Sequence, residues 1–215
     1  NGLLVDVTDI NKLKFFLEKG VSNNKFTFVC FNNNYKISPE EFDIWMNLLK
    51  RVEDSCLWLK ASNEFAKNNL INEAFKRGIS DKRLIFAEYT DFENHLKRHS
   101  KADLFLDTFP VTAHTTASDA LWVGLPVLTL AGKSIVSRVA GSLLTNINMK
   151  ELITYNYDDY KNMALKLSND KKFYNDLRSK LHKERLSSPL FNTKQYTKDL
   201  ESIYNKLYKN FKSSF

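Results

Sequence analysis

A histidine and two threonines stand together at His114-Thr115-Thr116, and an aspartate follows at Asp119, one helical turn past the first threonine. The run lies between two apolar stretches, Leu104-Phe105-Leu106 and Pro126-Val127-Leu128-Thr129. It reads as buried strand, polar loop, helix and second buried strand. A helix start gathers unpaired backbone N–H groups and the positive end of the helix dipole. Threonine hydroxyls there are additional donors, so the place suits a phosphate or pyrophosphate. Asp119, on the side of Thr115, is able to accept from ribose hydroxyls. Taken alone, the same residues also describe an ordinary threonine N-cap with a first-turn acid.

The elements around this segment alternate short apolar runs with amphipathic stretches, which predicts an α/β fold on a parallel sheet. Strands are predicted at Phe26 to Phe31, Cys56 to Lys60, Leu84 to Ala87, Leu104 to Leu106 and Pro126 to Thr129. Their near-continuous apolar character suits strands covered on both faces. Ser38-Pro39-Glu40-Glu41 carries a capping-box helix start, with Pro at the first position. Further helices are predicted at Leu70 to Arg77, Asp91 to Arg98, Thr115 to Val123, Ser137 to Leu144, Tyr160 to Leu167, Lys172 to Arg185 and Thr193 to Phe211. In doubly wound sheets ligands bind outside the carboxyl ends of the strands, and the loops after Phe31, Phe86 and Leu106 all follow strand ends.

Five ordered stretches carry a family resemblance. The run His114-Thr115-Thr116-x-x-Asp119-x-Leu121-Trp122-x-Gly124-x-Pro126 is similar to the nucleotide-binding segment of the O-GlcNAc transferases, glycosyltransferase family 41. Phe31-Asn32-Asn33-Asn34-Tyr35-Lys36-Ile37, Leu57-Trp58-Leu59, Gly132-Lys133-Ser134-Ile135-Val136-Ser137-Arg138-Val139-Ala140 and Ser187 to Thr197 also resemble that family, in register from about Phe26 to Tyr208. The resemblance implies a Rossmann-like doubly wound parallel sheet, the C-terminal half of a GT-B glycosyltransferase, with C-terminal helices. It assigns residues 26–215 to a UDP-sugar-binding domain, and residues 1–25 to an N-terminal extension or the tail of a missing domain.

The resemblance also implies roles. Lys36 occupies the place of a lysine that contacts the UDP phosphates. There it would stabilise the diphosphate leaving group without proton transfer, which makes it the candidate catalytic residue. His114, Thr115, Thr116 and Asp119 match pyrophosphate and ribose contacts. His95 and Arg98 match residues near the uracil, where a planar ring is able to stack on the base. Asn33 stands where the family carries glutamine, and its shorter amide sets the donor back by about one C–C bond. Phe92 stands where the family carries a lysine beside the base.

The implied activity is donor binding in an inverting, metal-independent protein O-glycosyltransferase using a UDP-sugar, UDP-GlcNAc first. The alternative is a non-catalytic nucleotide-sugar-binding or protein-interaction module derived from such an enzyme. No Asp-x-Asp metal motif occurs, and neither a metal nor another cofactor is implied. The implied partners are UDP or UDP-sugar, an acceptor polypeptide and a missing N-terminal catalytic half. A parent protein with tetratricopeptide repeats is implied too.

Among the remaining candidates, Asp107 ends a strand beside the nucleotide loop and reads as a hydrogen-bond acceptor that organises it. Arg138 faces either the active-site cleft or a structural ion pair. His99 and His182 sit in lysine-rich helical stretches and read as surface residues.

Composition narrows the rest. The chain has 215 residues, 43% of them hydrophobic, enough for one large domain with a substantial core. The net charge of +7 comes from lysines interleaved with Asp170, Asp176, Glu184, Asp199 and Glu201, a solvated helix surface with no nucleic-acid partner. No apolar run approaches the roughly 20 residues of a membrane span. Cys30 and Cys56 lie in separate strand-like runs and read as buried free thiols, which suits a reducing cytoplasm. The chain begins with Asn and not Met, as a piece of a longer protein would.

Overall fold

The computed structural model describes Val21 and residues 25–213. The expected N-terminal extension lies outside the described residues except for Val21 and Lys25. Six parallel strands form one sheet: β1 (Phe26–Cys30), β2 (Ser55–Lys60), β3 (Leu84–Ala87), β4 (Leu104–Leu106), β5 (Val127–Leu130) and β6 (Ile153–Thr154). Their spatial order is β3-β2-β1-β4-β5-β6. This is the doubly wound order, and it reverses between β1 and β4. Register follows the hydrophobic faces, with Phe28 opposite both Leu57 and Leu104, and Phe105 opposite Val127. Phe28, Leu57, Trp58, Leu104, Phe105 and Val127 are fully buried. Each such side chain contributes roughly 1.5–3 kcal/mol of transfer free energy.

The helices are α1 (Pro39–Arg51), α2 (Glu64–Lys76), α3 (Phe92–His99), α4 (Thr115–Trp122), α5 (Val139–Asn146), α6 (Tyr157–Asn169), α7 (Lys171–Ser187) and α8 (Thr193–Ser213). The capping box at α1 forms as predicted: Glu41 N donates to Ser38 Oγ at 3.3 Å, and Ser38 N donates to Glu41 Oε2 at 3.0 Å. Gly124 turns α4 into β5 at φ +83°, a conformation open to glycine.

Three departures from the sequence expectations have local causes. Helix α2 starts six residues earlier than Leu70, because Asn63 Oδ1 caps Ala66 N at 2.9 Å. Its first two turns are mostly exposed, so no apolar period marked them. Strand β6 was not predicted; at two residues it is too short to show a pattern. His99 is fully buried and not a surface residue: it stacks parallel to Phe105 with centroids 6.4 Å apart. Both thiols are buried and free, as expected. Among the described residues no helix is long and apolar enough to cross a membrane.

Candidate functional site

The strand order reverses where β1 and β4 lie side by side, so the loops that leave their carboxyl ends diverge and open a crevice. Asp107, the first residue past β4, is buried there and gathers four donors. Its Oδ1 accepts from Thr108 N at 2.8 Å, Ala113 N at 2.6 Å and Asn32 Nδ2 at 3.1 Å; its Oδ2 accepts from Thr129 Oγ1 at 2.6 Å. Burial pushes the carboxyl up and the four donors partly offset it, leaving it raised to about 6. Asp107 is thus the loop organiser that its sequence position suggested: it closes residues 108–113 and delivers His114 to the mouth of the crevice.

Asn32 couples the two loops. Its Nδ2 donates to Asp107 and to Thr108 Oγ1 at 2.8 Å, and its Oδ1 accepts from Thr116 Oγ1 at 2.6 Å. Glu41 supports the same loop from α1, accepting from the backbone N–H of Phe109. Burial pushes the Glu41 carboxyl up to about 8, so it holds its proton at neutral pH.

A cavity of about 190 Å³ opens above this network. Asn33 and Lys36 wall it from the β1 loop, Lys60 from the end of β2, and His114, Thr115 and Thr116 from the start of α4. No carboxylate lines it. Lys36 is half-buried, and its Nζ donates to Thr112 O at 3.2 Å. His114 is the N-cap of α4 and makes no side-chain cap bond, whereas Ser38, Asn63, Asp91, Asn156 and Asp170 all cap their helices. The first-turn N–H groups of α4 are therefore left to whatever enters the cavity, at the positive end of the helix. The two threonines divide their work, which the sequence did not reveal. Thr116 spends its hydroxyl proton on Asn32, while the exposed Thr115 hydroxyl has no partner among the described residues.

A second cavity of about 330 Å³ adjoins the first, and the two share Phe31, Lys60 and Thr116 as walls. The loop Glu88-Tyr89-Thr90 and helix α3 complete it, through His95 and Arg98. The His95 ring lies 5.6 Å from Phe31 and 4.6 Å from His99. Burial, reinforced by the Arg98 and Lys60 charges, brings His95 down to about 4, so the imidazole is neutral near pH 7. The Arg98 guanidinium sits over the Phe31 ring at 5.8 Å and donates to Glu88 O at 2.9 Å. A neutral ring beside an aromatic floor suits a planar heterocycle.

The structure thus brings Asn33, Lys36, His114, Thr115 and Thr116 around one cavity, and His95 and Arg98 around its neighbour. Asp119 lines neither. Four residues advance about 6 Å along a helix, so Asp119 stands one turn past Thr115; it is half-buried, and burial raises its carboxyl to about 6. Phe92 lines neither cavity and is 45% exposed on the first turn of α3. Arg138 is exposed and lines a separate hollow of about 740 Å³ at the ends of β5 and β6; it makes no ion pair among the described residues. Gly132 borders that hollow, and a Cβ there would meet Ser137 Oγ at 2.6 Å.

Sequence reasoning passed over Asn32, Lys60 and Tyr89. Lys60 had a usable signal, since a lysine ending an apolar strand stands at the carboxyl edge where ligands bind. Tyr89, fully exposed at the rim of the second cavity, had none. Among the described residues no group of three or more His, Cys, Asp or Glu is placed to hold a metal ion.

Comparison with known proteins identifies the family and the fold. The model of glycosyl transferase family 41 matches residues 16–200. A probable UDP-N-acetylglucosamine–peptide N-acetylglucosaminyltransferase of Arabidopsis thaliana, SEC, is 34% identical over 94% of this chain and 21% of its own length. The UDP-N-acetylglucosamine–peptide N-acetylglucosaminyltransferase of Caenorhabditis elegans is 33% identical over 89% of this chain and 17% of its own. Among solved structures, a variant of the Thermobaculum terrenum O-GlcNAc transferase superposes with a TM-score of 0.81 at 28% identity, over 92% of this chain and 38% of that one. The α/β architecture is that of the GT-B glycosyltransferases. The chain spans about a fifth of the length of the curated relatives it matches. With the family model covering most of its length and a relative 34% identical over 94% of it, the chain belongs to glycosyl transferase family 41.

Proposed function

We propose that this chain is the donor-binding part of an inverting, metal-independent protein O-glycosyltransferase that uses a UDP-sugar, UDP-GlcNAc before others. The observation that carries this is the pair of joined cavities: one walled by lysines and an uncapped helix start with no carboxylate, the other by a neutral histidine and an aromatic floor. A nucleoside diphosphate has the same two-part chemistry. The relatives' names supply uridine, N-acetylglucosamine and a peptide acceptor.

In this reading Lys36 is the catalytic residue, because its ammonium meets the charge that develops on the departing diphosphate. Thr115, His114 and the first N–H groups of α4 hold the phosphates, and Asn33 lies within reach of them. His95 and Arg98 hold the base, and Asp119 takes the ribose hydroxyls. Acceptor groups come from the part of the protein N-terminal to this chain, and catalysis rests on positioning and leaving-group stabilisation. The enzyme works in the cytoplasm, where both thiols stay reduced.

Calorimetric titration of the chain with UDP, with ADP and GDP as controls, tests the reading. UDP-selective binding that weakens in Lys36→Ala is the expected result. Binding of no nucleotide, or of all three alike, overturns it.

A further inference from the structure

We infer that Lys60 is a second diphosphate-binding lysine, placed on the phosphate nearer the nucleoside; the inference rests on the donor-site reading above. Lys60 is the last residue of β2, so its Cα is fixed in the sheet while its side chain is exposed at the carboxyl edge. It lines both cavities at their seam, whereas Lys36 lines only the smaller one. Its Nζ donates to Asn33 Oδ1 at 3.2 Å and makes no ion pair among the described residues. A lysine held only by a neutral amide loses little by exchanging that acceptor for a phosphate oxygen, and charge-assisted bonds are roughly twice as strong as neutral ones.

The surroundings favour an anion at this point. Lys36 and Lys60 wall one cavity with no carboxylate to neutralise them, and the uncapped start of α4 adds its partial positive charge. Lys60 stands at the seam, while Arg98 and Glu88 line the larger cavity beyond it. Lys36 and Lys60 repel one another across the smaller cavity, and a phosphate between them turns that repulsion into attraction. A nucleotide whose base fills the larger cavity must pass its first phosphate between the two cavities, and Lys60 stands there.

Uridine, UMP and UDP separate the contributions, each titrated against the wild-type chain and against Lys60→Gln and Lys60→Arg. Removal of one charged hydrogen bond predicts about tenfold weaker binding of both UMP and UDP to Lys60→Gln. Uridine binding is expected to stay unchanged, and Lys60→Arg, which keeps the charge, to remain within about threefold of wild type. Lys36→Ala is expected to weaken UDP more than UMP. Lys60 being exposed, all variants should melt with the parent. If Lys60→Gln binds UMP as tightly as the wild type while UDP still binds, Lys60 holds no phosphate and the donor site stands without it. Uridine weakened as much as UMP overturns the inference as well, because Lys60 would then shape the base cavity. Failure of the wild-type chain to bind UDP removes the inference together with the reading it rests on.

Discussion

Asn32 Oδ1 receives the Thr116 hydroxyl at 2.6 Å, a bond that ties the end of β1 to the first turn of α4 across 84 residues of sequence. With its Nδ2 engaged by Asp107 and Thr108, this one amide holds both loops of the crevice. Asn32→Ala leaves the Asp107 carboxylate and two hydroxyls short of partners in a buried place. Each such loss costs about 1–3 kcal/mol. Denaturant unfolding is expected to show that destabilisation, with UDP binding weakened in parallel. Unchanged stability and affinity would mean that the two loops hold their places without the amide.

The two threonines should separate cleanly on mutation. Thr116→Val removes the donor to Asn32 and is expected to cost about 1 kcal/mol of stability or more. Thr115→Val removes an exposed hydroxyl at the cavity and should leave the melting temperature in place while UDP binds several-fold less tightly. Paired thermal melts and calorimetry read both effects, and the reverse pattern would contradict the division.

His95 is held neutral, with its titration moved down to about 4 by burial and by Arg98 and Lys60. Its protonation therefore contributes no pH dependence to UDP affinity between about pH 6 and 8. His95→Ala should lose affinity for uridine and UDP alike, since stacking on a base is worth roughly 1–3 kcal/mol. A wild-type affinity that changes with a midpoint near 6.5 and flattens in His95→Ala would show an imidazole free to titrate.

His99 and Glu41 place opposite pH signatures on stability. Burial brings His99 from 6.5 down to about 3, so the unfolded chain binds the extra proton between those values. Stability is then lost as pH falls below 6.5, by about 2 kcal/mol at pH 5 for one such histidine. His99→Phe keeps a ring beside Phe105 and should remove that share of the acid sensitivity.

Glu41 moves the other way, from 4.5 up to about 8, so the folded chain holds the extra proton. Stability falls as pH rises through this window, on the order of 2 kcal/mol between pH 6.5 and 8.5. Denaturant unfolding of Glu41→Gln across that range is expected to show a flatter profile. A wild-type slope that persists in the variant would assign it to other groups.

The strands that carry the site were legible because parallel strands buried on both faces are continuous apolar runs, as at Phe26–Cys30 and Leu104–Leu106. The α1 start was legible because a capping box is a local device: Ser38 and Glu41 satisfy each other within one turn. Strand β6 and the first turns of α2 escaped because neither carries enough apolar periodicity to stand out from its flanks.

For the site, sequence alone determined which residues could meet a diphosphate: His114-Thr115-Thr116 at a helix start and Lys36 past a strand end. It could not determine which of them share a cavity. That depends on the order β3-β2-β1-β4-β5-β6, which places the ends of β1, β2 and β4 beside one another. Only this order brings Lys60 to Asn33, buries His99 beneath Phe31 and hands the Thr116 proton to Asn32. The physical reason is that apolar runs say that a strand is buried and not which strand lies next to it. Bonds between polar groups tens of residues apart exist only after the sheet has chosen its neighbours.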